Sequence, residues 1–186
     1  IGNIFSYFVS PKEKLMLILE RKERLANDIY DFIFKNNSKF NFTPGQYLEW
    51  TLDVKNHDSR GNRRYFTISS SPTESEIRIG IKFYQNSSSF KKTLLNLKTG
   101  DKVLAGSLSG DFTIANTKEK KFVFVAGGIG ITPFRSILKY LIDNNVKKDI
   151  ILLYSNKLKE EIVYVDVFNS AYRNLGIKTF YNHLCL

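Results

Sequence analysis

Cysteine and histidine are almost absent from this chain of 186 residues, which contains one Cys and two His. The single Cys185 excludes an internal disulfide and any metal site built on several cysteines. With only His57 and His183 present, a histidine-based zinc site also lacks ligands. The sequence therefore predicts no metal site, and its cysteine content is typical of a cytoplasmic protein.

Long apolar runs are missing as well. No stretch approaches the roughly 18 consecutive apolar residues that a membrane-spanning helix needs. Residues 1–10 are apolar but short, and the chain begins with Ile1 rather than Met. We interpret them as a leader left from a removed upstream segment, for which a membrane segment is one candidate. The expected location is cytoplasmic, at the inner face of a membrane if such a segment exists.

Acidic residues are few relative to basic ones: 18 Asp and Glu stand against 28 Lys and Arg, a net charge of +10. This charge favours anionic partners such as nucleic acid, an acidic membrane surface or a phosphate-bearing cofactor. The basic residues are scattered, and no Lys/Arg block or nucleic-acid-binding module occurs, so we expect no nucleic-acid partner. A hydrophobic content of 42% is ordinary for a globular protein.

Residues 11–117 are typical of short antiparallel strands. Residues 77–83 alternate strictly between apolar and polar side chains, which predicts a strand with one buried and one solvated face. Similar short strands recur, separated by turn residues such as Pro44 and Gly45. This pattern predicts an antiparallel, six-stranded Greek-key β-barrel. Trp50, on a strand predicted over 47–52, is expected in the barrel core.

One short helix is predicted within the barrel region. Ser89 is a suitable N-cap, and Phe90, Leu94 and Leu97 form an apolar stripe at helical spacing. Gly100 is the expected terminator of this helix, because glycine readily adopts the left-handed conformation that ends helices.

The pattern changes at residues 121–186. Residues 122–126 form a continuous apolar run, which is typical of a strand covered on both faces. Further strands are predicted over 150–154 and 177–180, and a second helix over 160–172. The first helix has the apolar stripe Phe134, Ile137, Leu138 and Leu141. This βαβαβ order predicts a parallel α/β nucleotide-binding domain with right-handed crossovers; the polar stretch from Thr117 to Lys120 marks the domain boundary.

The strongest local motif is the turn Gly127–Pro133, with the sequence GGIGITP. It follows a buried strand and opens a helix, which is the context of a dinucleotide-binding turn. Gly127, Gly128 and Gly130 allow close approach of the backbone to a ligand. Thr132 is suited to cap the helix, whose N-terminal amides favour anions. A tight strand–helix turn without a ligand is the alternative interpretation.

Two further motifs combine positive charge with hydroxyl groups. Residues 63–72, RRYFTISSSP, offer guanidinium groups that bind diphosphates bidentately and aromatic rings that stack on planar ligands. Residues 87–92, SSSFKK, place hydroxyls and two lysines at a helix start, where a phosphate is stabilised. The alternatives are a surface strand with a basic edge for the former and simple helix capping for the latter.

In this order and spacing, the three motifs resemble the ferredoxin–NADP⁺ reductase superfamily. In that family an Arg-x-Tyr/Phe-Ser/Thr strand and a later Ser-containing helix start bind FAD on a barrel. A Gly-Gly-x-Gly-x-Thr-Pro turn then opens the nicotinamide domain. Residues 44–47, PGQY, together with the turns at 100–101 and 106–110, are similar to other parts of the family pattern. The resemblance covers nearly the whole chain.

The resemblance implies a role for each matched residue. Arg64 would bind the FAD diphosphate, Phe66 would lie against the isoalloxazine ring, and Thr67 would be the catalytic residue near flavin N5. The remaining implied cofactor-binding residues are Tyr65, Ser69, Ser70, Ser88, Ser89 and Phe90 for FAD, and Gly127, Gly128, Gly130 and Thr132 for the nicotinamide nucleotide.

The implied function is that of an FAD-dependent oxidoreductase that accepts hydride from NADH or NADPH and passes electrons to a downstream acceptor. Residues 58–64 are similar to reductase modules attached to membrane electron-transport proteins, for which a membrane flavin, haem, quinone or iron–sulfur protein would be that acceptor. One alternative is a flavin-carrying electron-transfer module that does not itself use NAD(P)H. A basic scaffold or membrane-surface domain without a cofactor is another.

The chain departs from the family pattern at its end. Family members continue beyond the third strand of the nicotinamide domain, whereas this chain stops at Leu186. Cys185 lacks the Gly-Pro that follows the family cysteine and is not equated with it. Because half a parallel sheet would expose an apolar edge, we expect a C-terminally truncated domain. Nicotinamide binding is then expected to be weak and flavin reduction slow in this form.

Overall fold

The computed structural model describes residues 14–36, 40–55, 58–114 and 121–183, with only the backbone described for Asn36. The predicted leader 1–10 and domain boundary 117–120 lie outside these residues, as do His57 and Cys185. Two units are visible, one antiparallel and one parallel, and each has its own hydrophobic core.

The first unit is a six-stranded antiparallel sheet with the strand order β4-β3-β6-β1-β2-β5. Its strands are β1 (Leu15–Ala26), β2 (Ile29–Asn36), β3 (Tyr47–Thr51), β4 (Arg63–Thr67), β5 (Glu76–Lys82) and β6 (Lys102–Ser109). Just after β4, the Ser69 N–H donates to the Arg78 carbonyl of β5 at 2.8 Å, which brings the two outer strands together. The predicted antiparallel barrel is confirmed.

Side chains that alternate along the strands fill the barrel. On β5 the inward residues Ile77, Ile79 and Ile81 are buried, as the alternation over 77–83 predicts. Trp50 is fully buried and its ring centroid lies 4.9 Å from that of Phe34, so its predicted core position is confirmed. Burying a side chain of this kind stabilises the fold by about 1.5–3 kcal/mol.

The helix in the barrel region, α1 (Ser89–Asn96), begins one residue earlier than predicted, because Ser88 rather than Ser89 is its N-cap. The Ser88 hydroxyl accepts a hydrogen bond from the Lys91 N–H at 3.4 Å. The predicted terminator is also wrong: the helix ends at Asn96 with Leu97 as its C-cap. Gly100 lies in the following turn, where its φ of 94° lets the chain reverse into β6.

The second unit is a parallel sheet with the order β7-β8-β9. Its elements are β7 (Lys121–Gly127), a 3₁₀ turn (Gly128–Ile131), α2 (Thr132–Asp143), β8 (Asp149–Asn156), a second 3₁₀ turn (Lys159–Glu161), α3 (Val165–Leu175) and β9 (Lys178–His183). The predicted βαβαβ order is confirmed, but the helix expected over 160–172 begins only at Val165. Tyr164 precedes it in the left-handed region, with φ of 62°, which interrupts a helix.

One face of the parallel sheet is open among the described residues. Both crossovers move in the same direction along the sheet, so α2 and α3 lie on one face and pack against each other. On the other face, Val123 and Val125 of β7 are 65% and 69% exposed. The expectation that residues 122–126 are covered on both faces is therefore wrong for these two side chains.

The two units meet at a buried surface that is rich in polar groups, here called the domain interface. Its barrel side contains Asp31, Ser69, Ser70, Glu74 and Gly80, and its other side contains Thr132, Arg135, Ser136 and Tyr164. Gly80 permits the close approach. A Cβ there would lie 2.2 Å from the Tyr164 hydroxyl oxygen and 2.8 Å from Thr132 Cγ2.

Several polar groups of the domain interface form hydrogen bonds across it. The Arg135 guanidinium donates to both carboxylate oxygens of Glu74, at 2.6 and 2.9 Å, and to the Ser69 carbonyl at 2.8 Å. The Tyr164 hydroxyl donates to Asp31 Oδ1 at 2.6 Å. Buried charges require such partners, because an unpaired charge in a low-dielectric interior is strongly destabilising.

The two carboxylates of the domain interface, Glu74 and the more deeply buried Asp31, differ in acidity. Burial alone would raise the pKa of Glu74, but hydrogen bonds and the charge of Arg135 outweigh it, so the pKa lies below its ordinary value of 4.5. Burial dominates at Asp31, whose pKa is raised despite its hydrogen bond from Tyr164. Glu74 therefore stabilises the folded state in its ionised form, whereas the burial of ionised Asp31 opposes folding.

Glu74→Gln should destabilise the protein at neutral pH, because it leaves the buried Arg135 charge without its counter-ion. Removing one partner of a buried pair typically costs about 3–5 kcal/mol. Since the pKa of Glu74 is lowered on folding, its contribution is present above pH 4.5 and is lost as the pH falls through the folded-state value. Thermal unfolding of both proteins across this pH range should show the gap between their Tm values closing as the solution is acidified. A constant gap would contradict the ionised pair.

Gly45→Ala and Gly100→Ala form a matched pair. Both glycines have positive φ, 100° and 94°, so alanine strains the backbone at either position. A Cβ at Gly45 would lie 1.9 Å from the Phe112 carbonyl oxygen, whereas at Gly100 it meets nothing within 4 Å. Overpacking should make Gly45→Ala the more destabilising by about 1–3 kcal/mol in urea unfolding. Equal losses would show that residues 44–46 do not pack against Phe112 as described.

Candidate functional site

The strand β4 separates its side chains onto two faces. Arg64 and Phe66 point to one side, while Arg63 and Tyr65 point to the other, where both contact Glu49. The Phe66 and Phe90 ring centroids lie 6.0 Å apart, so β4 meets the first turn of α1. The structure thus brings two of the three sequence motifs together at Phe90.

Arg64 is held in place from several directions. Its Nη2 donates to Asp58 Oδ1 at 2.8 Å, and its Nη1 donates to the carbonyls of Arg60, Gly61 and Arg63 at 3.0, 3.1 and 2.6 Å. Its guanidinium carbon lies 5.3 Å from the centroid of the buried Phe90 ring, within the range of a cation–π contact. Arg64 is therefore a positioned cation beside the N-terminus of α1.

Other groups strengthen the positive potential at this point. The first turn of α1 presents backbone N–H groups that have no partner within the helix, at the positive end of the helix dipole. Lys91 is half-buried there, and burial followed by the charge of Arg60 lowers its pKa. Its ammonium group donates to the Lys82 carbonyl at 2.6 Å. Arg64, Lys91 and the helix start form a cationic site that fits a diphosphate.

The loop before β4 adds a residue that the sequence analysis did not assign. Hydrogen bonds from Arg60, and then from Arg64, lower the pKa of Asp58 to about 2. Asp58 is therefore ionised at neutral pH, and its ion pair with Arg64 orients the guanidinium. Its only signal in the sequence is an acidic residue six positions before the arginine, within the segment 58–64.

Three residues predicted to bind FAD lie apart from this cationic site. Tyr65 is 59% exposed on the opposite face of β4, and its hydroxyl donates to Glu49 Oε2 at 2.7 Å. Ser69 and Ser70 are fully buried at the domain interface. The Ser70 hydroxyl accepts from the Arg78 N–H at 3.0 Å. Thr67 is not one of these three. It lies at the end of β4, is partly buried and pairs with Tyr47 of β3.

The glycine-rich turn of the second unit offers an open surface. Gly127 ends β7, and the 3₁₀ turn Gly128–Ile131 continues directly into α2. A Cβ at Gly127, Gly128 or Gly130 would meet nothing within 4 Å, so nothing in the described structure covers these positions. A helix N-terminus at the carboxyl end of a parallel strand is a typical anion-binding position.

Thr132 does not have its predicted capping role. The N-cap of α2 is Ile131, and the Thr132 hydroxyl instead donates to the Ile129 carbonyl at 3.2 Å. The 3₁₀ turn already leads into the helix, so no separate side-chain cap is formed. Thr132 is buried against Gly80 at the domain interface. Pro133 lies in the first helical turn, where its missing N–H costs no hydrogen bond.

Two searches of the described residues bear on other classes of site. Within residues 14–36, 40–55, 58–114 and 121–183, no group of three or more His, Cys, Asp or Glu side chains is arranged to hold a metal ion. In the same part of the chain, none of the helices combines the length and the apolar character that a membrane crossing requires.

Two protein-family models match the chain, and their boundaries follow the two units. The oxidoreductase FAD-binding domain matches residues 16–114, and the oxidoreductase NAD-binding domain matches residues 124–182. The first match contains Arg64, Phe66 and the start of α1, and the second contains the glycine-rich turn.

Individual relatives agree with these matches. The chain is 28% identical over 158 residues to flavohemoprotein A of Dictyostelium discoideum, covering 77% of this chain and 39% of that protein. It is 29% identical over 140 residues to the glycine betaine monooxygenase reductase subunit of Pseudomonas aeruginosa, covering 74% of this chain and 37% of that protein. The chain thus spans about two fifths of the length of these curated relatives.

The fold agrees with a solved structure, that of ferredoxin–NADP⁺ reductase from Plasmodium falciparum. The two superpose with a TM-score of 0.77 at 24% identity, covering 92% of this chain and 70% of the other. Two adjacent domain models, a barrel carrying a cationic site and an open glycine turn in the following parallel unit give the same assignment. The chain belongs to the ferredoxin–NADP⁺ reductase superfamily, with its FAD-binding domain followed by its NAD-binding domain.

Proposed function

We propose that this chain is the reductase part of an FAD-dependent oxidoreductase that accepts hydride from NADH or NADPH. The observation that carries the proposal is the meeting of Arg64 with the N-terminus of α1 at Phe90. Two motifs separated in the sequence there form one cationic site next to an aromatic surface. FAD has the complementary combination, because its anionic diphosphate is attached to planar ring systems.

The residues present have the chemistry to hold FAD. Arg64 and the first turn of α1, with Ser88 and Ser89, would bind the diphosphate through charge-assisted hydrogen bonds. Phe66 would provide a flat surface for the isoalloxazine ring, and Thr67 a hydroxyl near its reactive edge. When bound, FAD supplies the two-electron chemistry, while the protein binds, orients and shields it from water.

The nicotinamide nucleotide would bind at the turn formed by Gly127, Gly128 and Gly130. The absence of side chains there leaves the backbone N–H groups and the positive end of α2 accessible to a diphosphate. The buried Thr132 would support this turn rather than contact the nucleotide, because its hydroxyl donates to the Ile129 carbonyl within the turn.

We propose that electrons leave for a separate acceptor that contains haem or an iron–sulfur centre. One relative is named as a flavohemoprotein, a name that combines flavin with haem, and another as the reductase subunit of a monooxygenase. A membrane-embedded flavin or quinone acceptor, and a location at the inner face of a membrane, stay predictions from the sequence resemblance. The competing function is that of a flavin module that does not use NAD(P)H. Such a module would bind FAD in the same site, but its glycine turn would not bind a nicotinamide nucleotide.

Arg64→Ala should weaken FAD binding about ten- to a hundredfold, because it removes a charged contact worth on the order of 1.5–3 kcal/mol. Arg63→Ala is the matched control. Arg63 is the neighbouring residue with the same charge, but it is exposed on the other face of β4, where it pairs with Glu49. Titrating the FAD-free proteins by quenching of flavin fluorescence gives both dissociation constants. Equal dissociation constants for the two variants would remove Arg64 from the site.

Thr67→Ala should slow flavin reduction by NADH or NADPH more than it weakens FAD binding. The reason is that a hydroxyl beside the reacting atoms matters mainly in the transition state. Thr67→Ser keeps the hydroxyl and should restore most of the rate. Stopped-flow absorbance at saturating FAD measures reduction directly. If alanine and serine variants are reduced at the wild-type rate, Thr67 has no catalytic role.

A further inference from the structure

The two cofactor sites lie on different domains, so their relative position is a separate requirement. Hydride transfer needs the donor and acceptor rings in near-attack geometry, and a misplacement of about 1 Å can cost about a hundredfold in rate. Contacts between domains of one chain usually resemble transient interfaces and permit relative motion. The domain interface of this chain is instead buried and ionic, which calls for a functional explanation.

The contacts across the domain interface converge on the segments that carry the two sites. Arg135 and Ser136 lie on α2, which continues directly from the glycine turn. Both are buried, and they donate to consecutive backbone carbonyls: Arg135 to that of Ser69 at 2.8 Å, and the Ser136 hydroxyl to that of Ser70 at 2.6 Å. Ser69 follows Thr67 by two positions. The helix that begins at one site therefore holds the main chain at the end of the other.

The acceptors at Ser69 and Ser70 are backbone carbonyl oxygens, so these contacts hold the main chain rather than a side chain. A contact to a side chain could be lost while the strand kept its place. Contacts to two consecutive carbonyls fix both the position and the direction of the backbone that follows β4. The bidentate pair between Arg135 and Glu74 orients the guanidinium, because a planar fork bound at two oxygens has little rotational freedom.

Tyr164 provides a second point of attachment. Its φ of 62° is unfavourable for a residue with a bulky side chain. Its hydroxyl nevertheless reaches the buried Asp31, and the Arg135 guanidinium lies 5.7 Å from the centroid of its ring. The same hydroxyl lies over Gly80, where a Cβ would come within 2.2 Å of it. The residue before α3 is thereby attached to β2, next to the attachment of α2 to the end of β4.

We propose that Arg135, Ser136 and Tyr164 are positioning residues that hold the end of β4 and the glycine turn at a constant separation and orientation. Their contribution to hydride transfer rests on the proposed function, whereas their contribution to domain geometry does not. They act through the backbone of residues 68–71 and through Asp31, without contact with either cofactor.

The test compares Arg135→Gln, Ser136→Ala and Tyr164→Phe with a matched control, Glu161→Gln. Glu161 pairs with Lys82 across the same pair of domains, at 2.6 Å, but touches neither the end of β4 nor α2. Ser136→Ala is the mildest change and keeps the test informative if Arg135→Gln folds poorly. Arg135→Lys keeps the charge without the fork, and Ser136→Thr keeps the hydroxyl.

Hydrogen exchange followed by mass spectrometry on the FAD-free protein gives the structural result. Residues 64–71 and 127–138 should exchange faster in the three variants, while β1 and β6 exchange as in the wild type, and the control should match the wild type throughout. Ser136→Thr should restore protection. Unchanged exchange in both segments, or faster exchange spread evenly over the barrel, would overturn the positioning role.

Kinetics on the FAD-loaded proteins give the functional result. Arg135→Gln should lower the rate of flavin reduction by about ten- to a hundredfold, with a change in FAD dissociation constant of less than about threefold. Arg135→Lys should recover only part of that rate. A rate that falls only in proportion to FAD loss would contradict the proposal. If NADH and NADPH both fail to reduce the wild-type flavin, the proposed function is wrong, and hydrogen exchange alone decides the positioning role.

Discussion

The ion pair between Arg135 and Glu74 is the interaction on which the arrangement of this molecule depends. A guanidinium buried between two domains is tolerated only if it is neutralised and its N–H groups find acceptors. Glu74 supplies the charge and the Ser69 carbonyl supplies a further acceptor, so both domains must be folded and in contact for these hydrogen bonds of Arg135 to form. The ion pair thereby joins the barrel to the parallel unit, and under our proposal it sets the relative position of the two cofactor sites.

The proposed FAD site depends on a second set of contacts, which meet at Phe90. Arg64 alone is a cation on a strand, and the start of α1 alone is a capped helix. Together they provide charge, backbone donors and an aromatic surface within one small region. The ion pair with Asp58 helps to position the Arg64 guanidinium at the start of this helix. This combination carries more weight for function than the fold, which many flavin and non-flavin proteins could share.

The sequence predicts most of the fold because its signals are local. The alternation over 77–83 and the turn Gly127–Pro133 each depend on neighbouring residues, and both have the predicted structure. Predictions failed where several local choices were equivalent. Any of Ser87, Ser88 and Ser89 can cap a helix, and the sequence pattern does not select Ser88. The run 122–126 is apolar throughout, yet the direction of the crossovers, a property of the whole sheet, exposes Val123 and Val125.

The domain interface could not be predicted at all, since Asp31 and Tyr164 are 133 positions apart and have no common motif.

The central claim is that this chain binds FAD and reduces it with a nicotinamide nucleotide. Its most direct test is an anaerobic titration of the FAD-loaded chain with NADH and with NADPH, followed at the flavin absorbance band. The account predicts that at least one of them, in excess, bleaches the flavin, even if slowly. A flavin that stays oxidised with both, yet is reduced by dithionite, would show that this chain carries FAD without accepting hydride from a nicotinamide.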